Sequence, residues 1–214
     1  MKVSPSLLAA DFCHLDKEIK MINDSNADWL HLDIMDGVFV PNMSFGFSVL
    51  DCIAPICEKP MDVHLMIVHP EKYTERLAKL GTYMMTVHHE ACEDIHEVIS
   101  GIRAAGMKVG VSIKPGTPNS VLKDILDKVD MILIMTVEPG YGGQKFIESS
   151  YDKIRELRNM IRESGASPII QIDGGVNAST SVKAAEAGVD CLVAGSYVFG
   201  AENPHERINE LKAL

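Results

Sequence analysis

An α/β fold, and within it a single-domain (β/α)8 barrel spanning residues 1–214, is predicted by three observations. Short apolar, strand-like runs begin at residues 3, 29, 61, 84, 108, 131, 169 and 191. Amphipathic, charge-bearing stretches with helical spacing lie between them, as at 14–22, 71–80 and 151–161. The run-to-run intervals are 26, 32, 23, 24, 23, 38 and 22 residues, a repeated βα rhythm with no room for a linker. Each interval is long enough for the crossover that parallel neighbours require. A doubly wound open sheet would carry G-x-G-x-x-G after its first strand, where this chain has "SPSLLAADF".

Composition narrows the function. With 46% hydrophobic and 23% charged residues, the chain reads as an ordinary globular protein. A net charge of −10 and a pI near 5.2 argue against nucleic acid or an anionic membrane surface as partner. A small anionic ligand held by local donors is compatible with that charge. Cys13, Cys52, Cys57, Cys92 and Cys191 are odd in number, scattered and without a C-x-x-C pair, so no disulfide framework or thiolate zinc site is expected. The opening "MKVSPSLLAADF" has too short an apolar run for a signal peptide, and no segment approaches a membrane span. A reducing cytoplasm is the expected compartment.

Taken in order, the first run (3–9) leads into the helical stretch at 14–22. In the second, "WLHLDIMDG", alternation puts Leu30, Leu32 and Ile34 on one face and His31, Asp33 and Met35 on the other. Burying an imidazole and a carboxylate in one row is costly unless they are paired or used. The third, "PMDVHLM", carries Asp62 and His64, with Met66 in the same row as His64. The fourth ends in "TVHHEA", where His88 and His89 face opposite ways, so at most one turns to the barrel mouth. The fifth ends at Lys114. The sixth ends near Met135 and is followed by "EPGYGGQKF", whose long interval is expected to hold a lid. The seventh, "IIQIDGG", ends with Asp173, and the eighth with "AGSYVF".

Barrel enzymes place their chemistry at the C-terminal ends of strands. That rule makes His31, Asp33, His64 and Asp173 candidates to converge on one point. Two imidazoles and two carboxylates suit a borderline divalent ion: zinc, iron(II), manganese or cobalt. Asp36 and Asp62 are the weaker carboxylates, expected to cap following loops. Glycines after strands six, seven and eight (Gly140, Gly142, Gly143, Gly174, Gly175 and Gly195, the last beside Ser196) let backbone N–H groups approach an anion, as phosphate-binding barrel loops do. Met35, Met66 and Met135 are expected to form a soft apolar wall that keeps water from a reactive intermediate.

The runs "SPSLLAADF", "HLDIMDGVFVPN", "DVHLM", "MTVEPGYGGQKF", "IDGGV" and "AGSYVF" closely resemble the ribulose-phosphate 3-epimerase family, in the same order and across nearly the whole chain. The resemblance implies a (β/α)8 barrel that interconverts D-ribulose 5-phosphate and D-xylulose 5-phosphate with one divalent metal ion and no organic cofactor. Carried over, it implies His31, Asp33, His64 and Asp173 as ligands. It implies Ser6, His64, Gly140, Tyr141, Gly142, Gly143, Gly174, Gly175, Gly195 and Ser196 as substrate contacts. Inversion beside a ketone needs proton removal on one face and delivery on the other, roles that fall to Asp33 and Asp173. Tyr141 stands where the family more often has Phe. Relatives acting on allulose 6-phosphate depart from "GGQ", "DGGV" or "AGS" at one or more glycines; this chain keeps all three. Other readings of the residues are a Schiff-base aldolase with Lys114 as nucleophile and a non-catalytic phosphosugar-binding protein. A homo-oligomer is left open, since the helices could face solvent or other copies.

Overall fold

The computed structural model describes residues 1–214. Eight parallel strands run β1 (Lys2–Pro5), β2 (Leu30–Met35), β3 (Met61–Met66), β4 (Met84–His88), β5 (Lys108–Ile113), β6 (Met131–Met135), β7 (Ile169–Asp173) and β8 (Cys191–Ala194). From β2 to β8 each strand pairs with its sequence neighbours, and β1 pairs with β8. Between β1 and β2 the seam narrows to one parallel bridge, Ser6 to His31. Beside it, the Asp28 carboxylate accepts from Val3 N at 2.9 Å while Asp28 N donates to Val3 O at 2.9 Å. The (β/α)8 prediction therefore stands, as a nearly closed barrel in one domain.

Strand alternation divides the interior. Leu30, Leu32, Val63, Leu65, Val109, Val111, Ile132, Ile134, Ile170 and Ile172 face outward into one continuous core with the helices. The inward row carries His31, Asp33, Asp62, His64, Thr86, His88, Ser112 and Gln171, all buried. Trp29, Met84, Met131 and Cys191 close one end of the barrel as a separate apolar cluster. Polar side chains are thus enclosed between an apolar plug and the mouth.

The helices are α1 (Leu15–Asp24), α2 (Phe47–Ile53), α3 (Thr74–Lys79), α4 (Ile95–Ala104), α5 (Ser150–Ser164), α6 (Ala178–Ala187), α7 (Ser196–Phe199) and α8 (Pro204–Lys212). Their ends follow local chemistry. Asp94 caps α4 by accepting from His96 N and Glu97 N, and Asn177 forms a capping box with Thr180 at the start of α6. None is long and apolar enough to cross a membrane.

Three elements differ from expectation. The first run stops as a strand at Pro5, and Leu7–Ala9 turns into a 3-10 segment. The 71–80 stretch begins as a 3-10 turn, Pro70–Tyr73, before α3. No α-helix joins β5 to β6: only a 3-10 turn, Asn119–Leu122, and further turns do so. Pro115 and Pro118 disfavour helix at the residues before them and use up part of this short crossover. Leu122, Ile125, Leu126 and Val129 still bury the face that a helix would supply.

Candidate active site

The β2–β3 register sets Asp33 beside His64 and His31 beside Asp62. Asp33 Oδ1 lies 3.2 Å from His31 Nε2 and 3.0 Å from His64 Nδ1. Asp173 Oδ2, from β7 across the barrel, lies 3.9 Å from His64 Nδ1. One donor atom from each of these four residues falls within 4.8 Å of the others. Sequence reasoning placed His31 toward the C-terminal end of its strand; it is instead the second residue of β2, and its ring length carries it up to the cluster.

The other carboxylates separate. Asp36 caps its loop as expected, accepting from Val38 N, Phe39 N and Val68 N. Asp62 does not. It is the second residue of β3, fully buried, and its Oδ2 accepts from Gln171 Nε2 at 2.7 Å and meets His31 Nδ1 at 2.8 Å. Its low position in the strand, countable from "PMDVHLM", was the available signal for this interior role. Facing Asp62, His31 Nδ1 takes the hydrogen, which leaves Nε2 as the ligating nitrogen of the neutral ring. That Nε2 has no well-aligned hydrogen-bond partner, its 3.2 Å approach to Asp33 being off-axis. The four residues therefore fit a divalent cation in both donor chemistry and spacing.

Two neighbouring carboxyls titrate far apart. Burial pushes Asp173 up to about 6, reinforced by the negative charge of Asp33. Burial acts on Asp33 in the same sense, but the His31 and His64 imidazoles outweigh it and hold this carboxyl well below the usual range. Ser6 Oγ adds a 2.5 Å hydrogen bond to Asp33 Oδ2. His31 loses stability as an imidazolium through burial, yet Asp33 and Asp62 on either side keep its pKa well above 6.5.

Above the cluster opens a cavity of about 750 Å³. Asp33 and Asp173 reach its floor; Met35, Met66 and Met135 line its wall. Ser6, Gly140, Tyr141, Gly142, Gly143, Gly174, Gly175, Gly195 and Ser196 also line it. His31 and His64 lie below and are fully buried, so His64, expected also to touch substrate, has no surface exposed to do so. Lys145 is the one lysine or arginine among the lining residues. Gly175, at φ +67°, brings its Cα so near the loop over the mouth that a Cβ there would stand 2.5 Å from Phe146 N.

The expected lid, residues 138–146, lies across the mouth. Asn42 Nδ2 donates to Gly140 O at 2.8 Å and Tyr141 OH to Pro41 O at 3.1 Å, tying it to the loop after β2. Asn42 was missed because nothing in its local sequence marks a contact nearly a hundred residues away. Lys114 is not among the lining residues; its Nζ sits 3.9 Å from the centroid of the Phe39 ring. Of the two adjacent histidines, His88 is the buried one, its Nε2 at 2.9 Å from His64 Nε2.

Comparisons with known proteins agree with this architecture. The fold recurs in 3-hexulose-6-phosphate synthase (TM-score 0.68, 17% identity, 100% of this chain and 99% of that one). It recurs also in the tryptophan synthase α-subunit of Pyrococcus furiosus (TM-score 0.73, 16% identity, 100% and 97%). In sequence, the chain is 46% identical to the chloroplastic ribulose-5-phosphate-3-epimerase of Arabidopsis thaliana, over 99% of this chain and 76% of that protein. It is 44% identical to the ribulose-phosphate 3-epimerase of Bacillus subtilis, over 99% and 98%. The ribulose-phosphate 3 epimerase family matches residues 2–199, and with the barrel and the buried carboxylate pair in place, the chain belongs to that family and is an epimerase, an enzyme of the isomerase class.

Proposed function

We propose that this epimerase interconverts D-ribulose 5-phosphate and D-xylulose 5-phosphate by two-carboxylate proton transfer at C3, with a divalent ion held by His31, Asp33, His64 and Asp173. The observation that carries the reading is the pair Asp33 and Asp173, which reach one cavity floor from well-separated strands, β2 and β7. Such a pair can serve as base on one face of the sugar carbon and acid on the other. Asp33, ionised, takes the C3 proton from one face of the bound ketose, leaving an enediolate. Asp173, protonated, delivers to the other face; in the reverse direction the roles exchange.

When bound, a divalent ion at these donors supplies Lewis-acid neutralisation of the charge that develops on the sugar oxygens. Asp62 orients His31 for that purpose, and Ser6 steadies Asp33. The three methionines give a wall with no strong donor or acceptor, which keeps bulk water from the carbanion-like carbon. The glycine segments Gly142–Gly143, Gly174–Gly175 and Gly195–Ser196 suit backbone binding of the phosphate, and Lys145 adds a positive charge to an otherwise acidic protein. Binding energy from that unreacting end holds C3 between the two carboxyls.

The pure enzyme, supplied in turn with zinc, iron(II), manganese or cobalt, should convert ribulose 5-phosphate to xylulose 5-phosphate faster than it converts allulose 6-phosphate. A preference for the hexulose phosphate would overturn the substrate assignment. Equal rates with and without metal, verified by elemental analysis, would overturn the metal's role. The aldolase reading lacks support, because Lys114 lies outside the lining of the cavity.

A further inference from the structure

We infer that Glu90 and His88 are positioning residues for metal binding, forming a relay that accepts the Nε2 hydrogen of His64 and so favours the tautomer whose Nδ1 is free to take a cation. The inference rests on the metal site proposed above and assigns residues outside it.

The argument is one of obligatory donor and acceptor roles. Glu90 follows β4 in the short turn His89–Ala91. Its Oε1 accepts from Lys114 N at 2.8 Å and from the Thr117 hydroxyl. Its Oε2 lies 3.4 Å from His88 Nδ1. An ionised carboxylate only accepts, so the nitrogen it faces carries the hydrogen. His88 Nδ1 is buried and makes no hydrogen bond of good geometry, and the Glu90 carboxylate at 3.4 Å is the acceptor that faces it. A neutral imidazole with hydrogen on Nδ1 offers a lone pair at Nε2.

That Nε2 lies 2.9 Å from His64 Nε2, a separation that requires one hydrogen between the two nitrogens. Without a cation, Asp33 Oδ1, 3.0 Å away, holds hydrogen on His64 Nδ1; once a cation takes that nitrogen, His64 carries its hydrogen on Nε2 and supplies it to His88. With its hydrogen on Nε2, His64 presents an unprotonated Nδ1, the atom 3.0 Å from Asp33 Oδ1 and 3.9 Å from Asp173 Oδ2. His31 reaches the same result through Asp62, so each ligating histidine is oriented by a different partner. The relay has one further property. Because the same carboxylate also holds Lys114 N and Thr117, the loop after β5 is joined to the orientation of a ligand on β3.

Glu90→Gln tests the relay. The amide keeps both loop contacts by offering its oxygen to Lys114 N and the Thr117 hydroxyl, which turns its NH2 toward His88. His88 then accepts at Nδ1 and carries its hydrogen on Nε2, and His64 is driven to the Nδ1–H form; each ring stays neutral and the proton count is unchanged. Zinc titration of metal-free enzyme against a chelating competitor should give at least about tenfold weaker binding for Glu90→Gln. Thr117→Val removes a loop contact alone, and its affinity should match the parent within about twofold. Long-range 1H–15N correlation on zinc-loaded parent enzyme, labelled at histidine, should place hydrogen on Nε2 of His64 and Nδ1 of His88. That spectrum needs no variant. Hydrogen on His64 Nδ1, unchanged zinc affinity in Glu90→Gln, or equal weakening by Thr117→Val would each overturn the relay. A parent enzyme that binds no zinc would instead remove the metal site itself.

Discussion

Asp33 and Asp173 owe their different behaviour to their neighbours rather than to their chemistry. Asp33 accepts from Ser6 and sits between two imidazoles; Asp173 has a charged carboxylate near it and 17% of its side chain exposed. Loading a cation must therefore displace protons. His31, held well above 6.5 by its flanking carboxylates, gives up its Nε2 hydrogen across the neutral range, and Asp173 gives up its own below about 6. Metal affinity should rise with pH, with about one proton released near neutrality and a second contributing as pH falls below about 6. Calorimetric titration in buffers of differing ionisation enthalpy reads that count, and a pH-independent affinity would contradict it. Asp173→Asn should lower turnover by orders of magnitude with the fold retained. Asp33→Asn should do the same, with a stability loss as well, because Ser6 loses its ionised acceptor and His31 one of its two flanking carboxylates. Near-normal exchange of the substrate C3 hydrogen with solvent in both variants would defeat the two-carboxylate scheme. The four candidate ligands were legible because alternation and strand ends single them out. Asp62, His88 and Glu90 were not, since their roles depend on which side chains meet across the barrel interior.

At the scale of elements, strands were far more legible than crossovers. All eight strands lie within the apolar runs at 3, 29, 61, 84, 108, 131, 169 and 191, give or take a residue at their starts, because parallel strands buried on both faces leave a strong local mark. The crossover after β5 has no such mark: prolines and burial compete there, and turns replace a helix. The loop 138–146 over the mouth was legible as a glycine-rich interval, but not its fastening, which pairs Asn42 with Gly140 and Tyr141 with Pro41. That fastening is testable. Asn42→Ala removes the amide bond to Gly140 while leaving the cavity floor intact, so residues 138–146 should exchange backbone amide hydrogens faster. The substrate KM should rise several-fold, with a smaller change in kcat. Unchanged exchange in that segment would mean the loop is held by its internal contacts, such as Gln144 to Glu138 O and Tyr141 O.

For the molecule as a whole, the seam between β1 and β2 is where the barrel has least backbone pairing, and the active site is built across it. Ser6, which forms the lone bridge to His31, also binds Asp33. Opening the seam would thus disturb a candidate ligand and the proposed catalytic carboxyl together. Asp28 is the clasp: its Oδ2 accepts from Val3 N at 2.9 Å and from Lys212 Nζ at 2.7 Å, drawing the C-terminal helix α8 to the same point. Burial raises the Asp28 pKa, but the Lys212 and Val3 hydrogen bonds outweigh this and leave it lowered. The sign follows: the stability that Asp28 contributes is present above its unfolded pKa and is lost as pH falls through the lowered folded value. Asp28→Ala leaves Val3 N without its acceptor and should cost about 2 kcal/mol at neutral pH, given a charge-assisted bond to a partly buried amide. For a chain of this length that is a fall of roughly 4–8 °C in Tm. Lys212→Ala removes only the partly exposed ion pair and should cost under about 1 kcal/mol. Calorimetric melts of the two variants at pH 7 and pH 3 decide the matter. A larger loss from Asp28→Ala at pH 7, with the gap to the parent narrowing at pH 3, is expected if the carboxylate closes the seam. Equal losses from the two variants, or a gap that does not change with pH, would place the closure elsewhere.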